Sequence, residues 1–331
     1  MACECAIVPL MLSDAVWRVL RCPACAGRLS RDAVTATCEA CGELYAPTSS
    51  EALDLRLRSP RKVSLEFTVG EHLPAPPDLD YGALGFNASP AVNFDDMDVP
   101  KHLSRQLMSY FPRASGLESL ALDLGAGPLS QRLVCERAGF EYVSLDYGDE
   151  KVAILGDAHS LPFADESFEF VLSIAVLEHI RYPFVATREV TRVLKPGGMF
   201  IGTVAFLEPF HADSFYHHTH LGTLNSLRFA GLDVHRVAPT AGWTVLQAQA
   251  SNALFPLVPR AVALGIVRPA ELAHRLLWRA RALARGRFVD ALKKRDLGEG
   301  EAALVAEQQR LAVGGLELLE RFADTLAAPS T

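Results

Sequence analysis

The residues with the most evident chemistry fall in two places. Between Leu120 and Phe206, one apolar run carries Asp123 near its end and runs into Gly125-Ala126-Gly127, and a second apolar run ends at Asp146. Ligands of open α/β sheets bind beyond the carboxyl ends of the strands, where an acidic side chain can accept hydrogen bonds from two ribose hydroxyls. Gly125 and Gly127 carry no Cβ, so the backbone there can turn sharply and come close to a ligand. The second place is Cys22-Pro23-Ala24-Cys25 with Cys38-Glu39-Ala40-Cys41, two CxxC pairs with twelve residues between them. Four thiolates at this spacing fill the coordination of one tetrahedral zinc, so the ion they imply is structural and not a Lewis acid. Gly27 and Gly42 follow the pairs, where a knuckle turn needs backbone freedom.

The glycine loop argues against a dinucleotide. Gly125-Ala126-Gly127-Pro128-Leu129-Ser130 lacks the third glycine of GxGxxG. Pro128 removes a backbone donor that could face a phosphate, and Asp123 repels a phosphate while suiting an ammonium group. The elements that must position these residues follow from the apolar pattern. Strands are expected at Ser119–Leu124, Tyr142–Leu145, Phe170–Ile174 and Ile201–Ala205. Helices are expected at Ser130–Ala138, capped by Gly139, at Leu221–Phe229, and from Asn93 to Leu107 leading into the sheet. The last two strands are read at Gly231–Val234 and Trp243–Gln249.

Taken together, Leu122 to Gly127, Asp157-Ala158-His159-Ser160-Leu161-Pro162-Phe163-Ala164-Asp165-Glu166-Ser167-Phe168-Glu169 and Leu194-Lys195-Pro196-Gly197-Gly198 resemble the motifs of class I S-adenosylmethionine-dependent methyltransferases, of the type 11-like domain. The resemblance covers roughly residues 118 to 250. It implies an α/β, Rossmann-like, seven-stranded, mostly parallel sheet with one antiparallel strand, and S-adenosyl-L-methionine as cofactor. Carried over residue by residue, it places Asp123, Gly125, Ala126 and Gly127 at the methionine end and Asp146, with Tyr147 beside it, at the ribose. Asp157 and Ala158 fall at the adenine edge, and Ser173 and Ile174 beneath the sulfonium. Leu129 stands where the family often has a third glycine, a departure that would narrow the pocket beside the methionine moiety. Leu177-Glu178-His179 matches the family's LEH run, which makes His179 a candidate base; a helix-capping histidine is the plainer reading. The segment Glu208 to Gly222, rich in histidine, is similar to one found in methyltransferases of bacterial glycan and secondary-metabolite clusters. His211 is its candidate general base, a role that contributes about 10² to 10⁴-fold.

The cysteine region, with Gly42 to Pro47 and Leu53 to Arg56, resembles the small zinc module that activates tRNA and rRNA methyltransferases. It is also similar to the ribbon of a bacterial rRNA guanine methyltransferase family, from which it departs by carrying Cys41 where that family has histidine. The domains expected are a zinc ribbon at 1–58, a Pro- and Gly-rich linker and lid at 59–115 with Tyr81, Phe86 and Phe94 as lid aromatics, the methyltransferase domain at 116–250, and a helical C-terminal extension at 251–331. The composition gives a net charge of −7, which offers no global attraction to nucleic acid. No basic stretch followed by an apolar run opens the chain, and no run of about twenty apolar residues occurs, so a cytoplasmic location is expected. From Arg260 to Asp296, ten Lys or Arg stand against three acids. This basic amphipathic helix docks on the catalytic domain or lies on an anionic membrane surface. A final helix, Glu301–Leu326, would mediate a homodimer. The function expected is methyl transfer to oxygen or nitrogen of a small molecule or glycan intermediate. The alternatives are rRNA or tRNA methylation with the ribbon reading the RNA, and a non-catalytic scaffold that holds a partner.

Overall fold

The computed structural model describes residues 12–32, 35–70, 84–205, 213–240, 246–247, 250, 254–255, 257–293 and 323–329. His211, Cys3, Cys5, Tyr81 and residues 301–322 of the expected final helix lie outside them.

The chain opens with helix α1 (Asp14–Val19), whose first turn is capped by the Ser13 side chain accepting from Val16 N. Strands β1 (Leu29–Asp32), β2 (Thr35–Cys38) and β3 (Leu44–Tyr45) form an antiparallel ribbon. Strand β4 (Leu53–Asp54) then leaves the ribbon. The larger sheet takes β5 (Leu120–Leu124), β6 (Glu141–Asp146), β7 (Ile154–Leu155), β8 (Phe168–Ile174), β9 (Leu194–Val204), β10 (Leu232–Pro239) and β11 (Ala323–Pro329). Its order is β10-β11-β9-β8-β5-β6-β7-β4. Every neighbouring pair is parallel except those made by β11, which runs antiparallel to both β9 and β10. The α/β, mostly parallel sheet is the one the motifs imply. It has eight strands and not seven because β4, from the ribbon's tail, pairs in parallel with β7, Leu53 opposite Ile154 and Asp54 opposite Leu155.

Three local expectations are corrected. Residues 93–104 are irregular, with turns at 95–96 and 101–102, and helix α2 is confined to Arg105–Met108, with Ser104 as its cap. Of the strand expected at Trp243–Gln249 the described residues, Leu246 and Gln247, are helical, and the last described strand lies elsewhere. It is supplied by β11 at the end of the chain, where a helix was expected. Local propensity loses here to tertiary pairing, because β11 fills the slot between β9 and β10 and satisfies the backbone of both. Between β10 and β11 the described chain contains the helix Arg260–Lys293, interrupted in sequence by Pro269. Among the described residues no helix is long and apolar enough to cross a membrane.

Two apolar clusters cover the faces of the sheet. One joins Phe111, Phe140, Phe170 and Ile201. The other joins Leu122, Leu145, Phe163 and Phe200 and also takes in Val16, Leu20, Tyr45 and Leu55. The ribbon therefore shares its core with the sheet, and each such fully buried side chain contributes roughly 1.5–3 kcal/mol.

Candidate functional site

Strand β5 is buried along its length and delivers Asp123 to the carboxyl edge of the sheet. The chain then turns through Gly125 at φ +73°, where a Cβ would run into the methyl groups of Val176. Gly127 follows at φ +45°. Leu129 occupies the left-handed region too, at φ 60°, a conformation that costs a non-glycine residue roughly 1–2 kcal/mol. Its side chain packs on a small cluster of Ala52, Ala126, Val152 and Leu155. The missing third glycine thus has a physical counterpart: the leucine fills the space between the loop and the ribbon's tail.

Asp146, at the end of β6, ties two loops together. Its Oδ2 accepts from Gly127 N at 3.2 Å, and its Oδ1 accepts from Gly148 N at 2.8 Å and Asp149 N at 3.0 Å. A carboxylate has about four lone-pair sites, which leaves acceptor capacity for a ligand. Asp123 is only 1% exposed and accepts from the Tyr142 hydroxyl at 2.6 Å. Burial pushes its carboxyl up to about 7, against the pull of the Tyr142 hydrogen bond, and the charge of Asp146 adds to the rise. A cation placed nearby would restore the ionised form. Ser173 and Ile174 end β8, both buried, and the Ser173 hydroxyl has no hydrogen-bond partner among the described residues.

The turn after β7 carries Asp157. Its Oδ1 accepts from His159 N at 2.9 Å and meets His159 Nδ1 at 2.6 Å, while His159 Nε2 accepts from Tyr182 N at 3.1 Å. Since Nε2 accepts, Nδ1 carries the proton and donates to Asp157. Burial raises the Asp157 carboxyl, but its hydrogen bonds from His159 outweigh this and leave it below the ordinary carboxylate range. The same turn is held from two sides. Helix α3 (Arg132–Arg137) lies elsewhere on the sheet, while α4 (Pro183–Val193) supplies Glu189, whose Oε2 accepts from Leu161 N at 2.8 Å. From α4 also comes Arg192, which donates to the carbonyls of Leu161 and Phe163. From the ribbon side, Ser160 Oγ donates to Pro23 O at 2.7 Å, and Arg61 Nη1 donates to both Ser160 Oγ and Pro23 O. Ala164 N also donates to Val19 O.

Pro23 lies between two of the four cysteines. Their sulfur atoms all lie within 4.8 Å of one another, with Cys22 and Cys41 at 3.7 Å and Cys25 and Cys38 at 3.5 Å. Sulfur atoms about 2.3 Å from a tetrahedral zinc lie about 3.8 Å apart, so the donor set fits such an ion. The two knuckles are equivalent in backbone: Cys22 N donates to Gly27 O and Cys38 N to Glu43 O. They differ in their glycines. Gly42 takes φ +76°, whereas in the first knuckle Ala26 takes the left-handed turn and Gly27 is required by space, since a Cβ would lie 2.8 Å from Ala40 Cβ and 2.9 Å from Cys38 Sγ. Burial raises the Cys38 thiol, yet hydrogen bonds from the Cys41 and Ala40 backbone and from the Cys25 and Cys41 thiols outweigh it, while the Cys25 and Cys41 thiols are themselves pushed up by their contact with Cys38. The Tyr45 hydroxyl lies 3.2 Å from Cys22 Sγ.

Of the residues singled out from sequence, Tyr147, Asp157, Ala158 and His179 line one cavity. Asp123, the glycine loop and Asp146 form the adjoining carboxyl edge of β5 and β6. His179 ends the single turn Leu177–His179. Its neighbour Glu178, which the motif reading passed over, is fully buried and accepts from Ala205 N at 3.1 Å, while its backbone carbonyl accepts from Phe215 and Tyr216. Glu178 thus ties Ala205, just past β9, to Phe215 and Tyr216, the first of which lines the cavity. Its sequence signal was the same LEH run. His218 is buried and burial lowers its pKa. Among the described residues only the four cysteines group as metal ligands. Lys195 to Gly198 sit at the amino end of β9, with Lys195 paired to Glu169 at 3.2 Å, and so at the opposite end of the sheet from the glycine loop.

Residues 122–202 match the methyltransferase domain family. An uncharacterized methyltransferase of Mycobacterium marinum is 31% identical over 103 residues, covering 27% of this chain and 40% of that protein. A demethylmenaquinone methyltransferase of Staphylococcus aureus is 36% identical over 92 residues, covering 25% and 36%. The chain spans less than half the length of these curated relatives. A solved complex of the Haloferax volcanii Trm112 methyltransferase activator with a methyltransferase is similar at 24% identity and a TM-score of 0.38, over 42% of this chain and 72% of that one. A Haemonchus contortus phosphoethanolamine N-methyltransferase is similar at 15% identity and a TM-score of 0.40, over 72% and 55%.

Proposed function

We propose, from the premise that the chain carries a class I S-adenosylmethionine-dependent methyltransferase domain, that it transfers a methyl group to oxygen or nitrogen of a small molecule or glycan intermediate. The observation that carries the reading is the shared edge of β5 and β6, where one carboxylate, Asp146, holds both the glycine loop and its own turn. When bound, the cofactor supplies an electrophilic methyl on a sulfonium. The chain's residues bind and orient: Asp146 takes the ribose hydroxyls, Asp123 the ammonium, Asp157 with the Ala158 backbone the adenine edge. Ser173 and Ile174 floor the site. Most of the rate enhancement then comes from holding donor and acceptor in line. His179 lines the cavity and is the described candidate to take the acceptor's proton; His211 is the other candidate.

In the same reading Cys22, Cys25, Cys38 and Cys41 hold one structural zinc that keeps Pro23 against Ser160. Incubation with tritiated-methyl S-adenosylmethionine and separate metabolite and RNA fractions tests the acceptor class. Label in the metabolite fraction is expected; label confined to RNA would replace this reading with an RNA methyltransferase.

A further inference from the structure

A cavity of about 1090 Å³ separates residues 57–67, the strap that leaves the ribbon, from the turn at Leu177–Tyr182. Asp157 and Ala158 line it, and its apolar lining is Val63, Leu65 and Phe67 from the strap and Ile180, Val185 and Phe215 from the domain. The strap is pinned at its far end, where Phe67 stacks on Phe229 at 4.5 Å and meets Phe184 edge-on at 5.8 Å.

Three guanidinium groups line this cavity, Arg58, Arg61 and Arg181. Among the described residues Arg61 donates to neutral oxygens, those of Pro23 and Ser160. Arg181 lies over the Tyr182 ring at 5.3 Å. Arg58 approaches Asp54 at 3.9 Å, but Asp54 is already engaged by Arg56 at 2.8 Å. The lining carboxylate, Asp157, receives its hydrogen bonds from His159. The wall therefore carries more positive charge than its own residues answer. The donor does not answer it either, since adenine is uncharged and the methionine carboxylate belongs at the glycine loop.

We propose that the acceptor is an organic anion with an apolar body, its phosphate, sulfate or carboxylate group held by Arg58, Arg61 and Arg181 and its body lying along Val63, Leu65 and Phe67. The proposal rests on the methyltransferase reading for the reaction itself. It gives the ribbon a second purpose, because the strap it anchors supplies two of the three arginines. Guanidinium forks match such oxyanions geometrically, and charge-assisted hydrogen bonds are the stronger kind. A polyanion is disfavoured by the chain's net charge of −7.

Calorimetry on the full chain loaded with S-adenosylhomocysteine tests this, with 1-naphthyl phosphate as probe and 1-naphthol and inorganic phosphate as controls that each keep one property. Naphthyl phosphate should bind at least about tenfold more tightly than either control, and Arg58→Ala and Arg181→Ala should each weaken it about tenfold with far-UV circular dichroism unchanged. Equal binding of naphthol, or no loss in the two variants, would overturn the proposal. So would a 5′-phosphorylated RNA oligonucleotide that binds more tightly than naphthyl phosphate and depends on the same arginines. Failure of S-adenosylhomocysteine to load would count against the donor reading, and the naphthyl phosphate titration on the unloaded chain would still decide the acceptor class.

Discussion

Along the glycine loop the constraints are short-range in the sheet: Asp146 on β6 reaches the loop after β5, and Gly125 leaves room for Val176 just beyond β8. Across the cleft, the Asp157–Ser160 turn is held by residues far away in sequence, Pro23 and Arg61, that are themselves organised by a thiol cluster. The first wall is built by packing of parallel strands, the second by a docked ribbon with four clustered cysteines. The contrast teaches where each half of the site is vulnerable. Damage to the sheet should act on the whole fold, whereas damage to the ribbon should act on one end of the cofactor and on the acceptor.

The largest effect is expected from stripping the metal. Structural zinc contributes on the order of 10 kcal/mol to small domains that depend on it. Chelation, or Cys38→Ser, should unfold the ribbon, lower the melting temperature of the whole chain because Val16, Leu20 and Tyr45 share the sheet's core, and weaken S-adenosylhomocysteine binding by at least about tenfold. Metal analysis should find one zinc per chain before treatment. Unchanged affinity in the stripped protein would break the proposed coupling between ribbon and adenine edge.

On the other wall, Gly125→Ala should cost about 2 kcal/mol, from the clash with Val176 and a positive φ. Denaturant unfolding reads this directly. Leu129→Gly sharpens the comparison because it touches both walls. Relief of the left-handed backbone should return roughly 1 kcal/mol, while loss of packing on Ala52, Val152 and Leu155 and the added chain entropy of glycine should cost roughly 2. A net loss of about 1 kcal/mol is expected, and a gain would mean that the packing on the ribbon's tail is unimportant.

The smallest effect is a pH dependence. In the free protein the Asp123 carboxyl, pushed up to about 7, binds its proton more tightly than in the unfolded chain. Its contribution to stability is therefore present below about 4 and lost as pH rises towards 7. A bound ammonium favours the ionised form, so cofactor affinity should rise from pH 6 to pH 8 by several-fold. Asp123→Asn should flatten that profile. Tyr142→Phe should move its midpoint upward, since the Tyr142 hydroxyl is the group that pulls the carboxyl down.

The two walls were also unequally legible. The strands with Asp123 and Asp146 at their ends, and the cysteine spacing, could be read because each is a local pattern: an apolar run ended by an acid, or two CxxC pairs. The strap's arginines, the pairing of β4 with β7 and the seating of Ser160 on Pro23 depend on contacts between residues up to about a hundred and forty apart, which no local pattern encodes. For the same reason Ala323–Leu326, expected as the end of the final helix, is strand: Ala323–Pro329 has no strong strand composition and takes its conformation from the two strands beside it. Glu178 was overlooked for a different reason. A buried carboxyl that holds the backbone of Ala205 looks, in sequence, like any acid beside a histidine.

The central claim, a methyl-donor site on the edge shared by β5 and β6, is tested most directly by isothermal calorimetry of S-adenosylhomocysteine against the wild-type chain and Asp146→Ala. The account predicts one site per chain in the wild type and an affinity weakened at least about tenfold in the variant, which loses both the ribose acceptor and the tie to Gly127. Absence of binding in the wild type, or equal affinity in the two proteins, would contradict it.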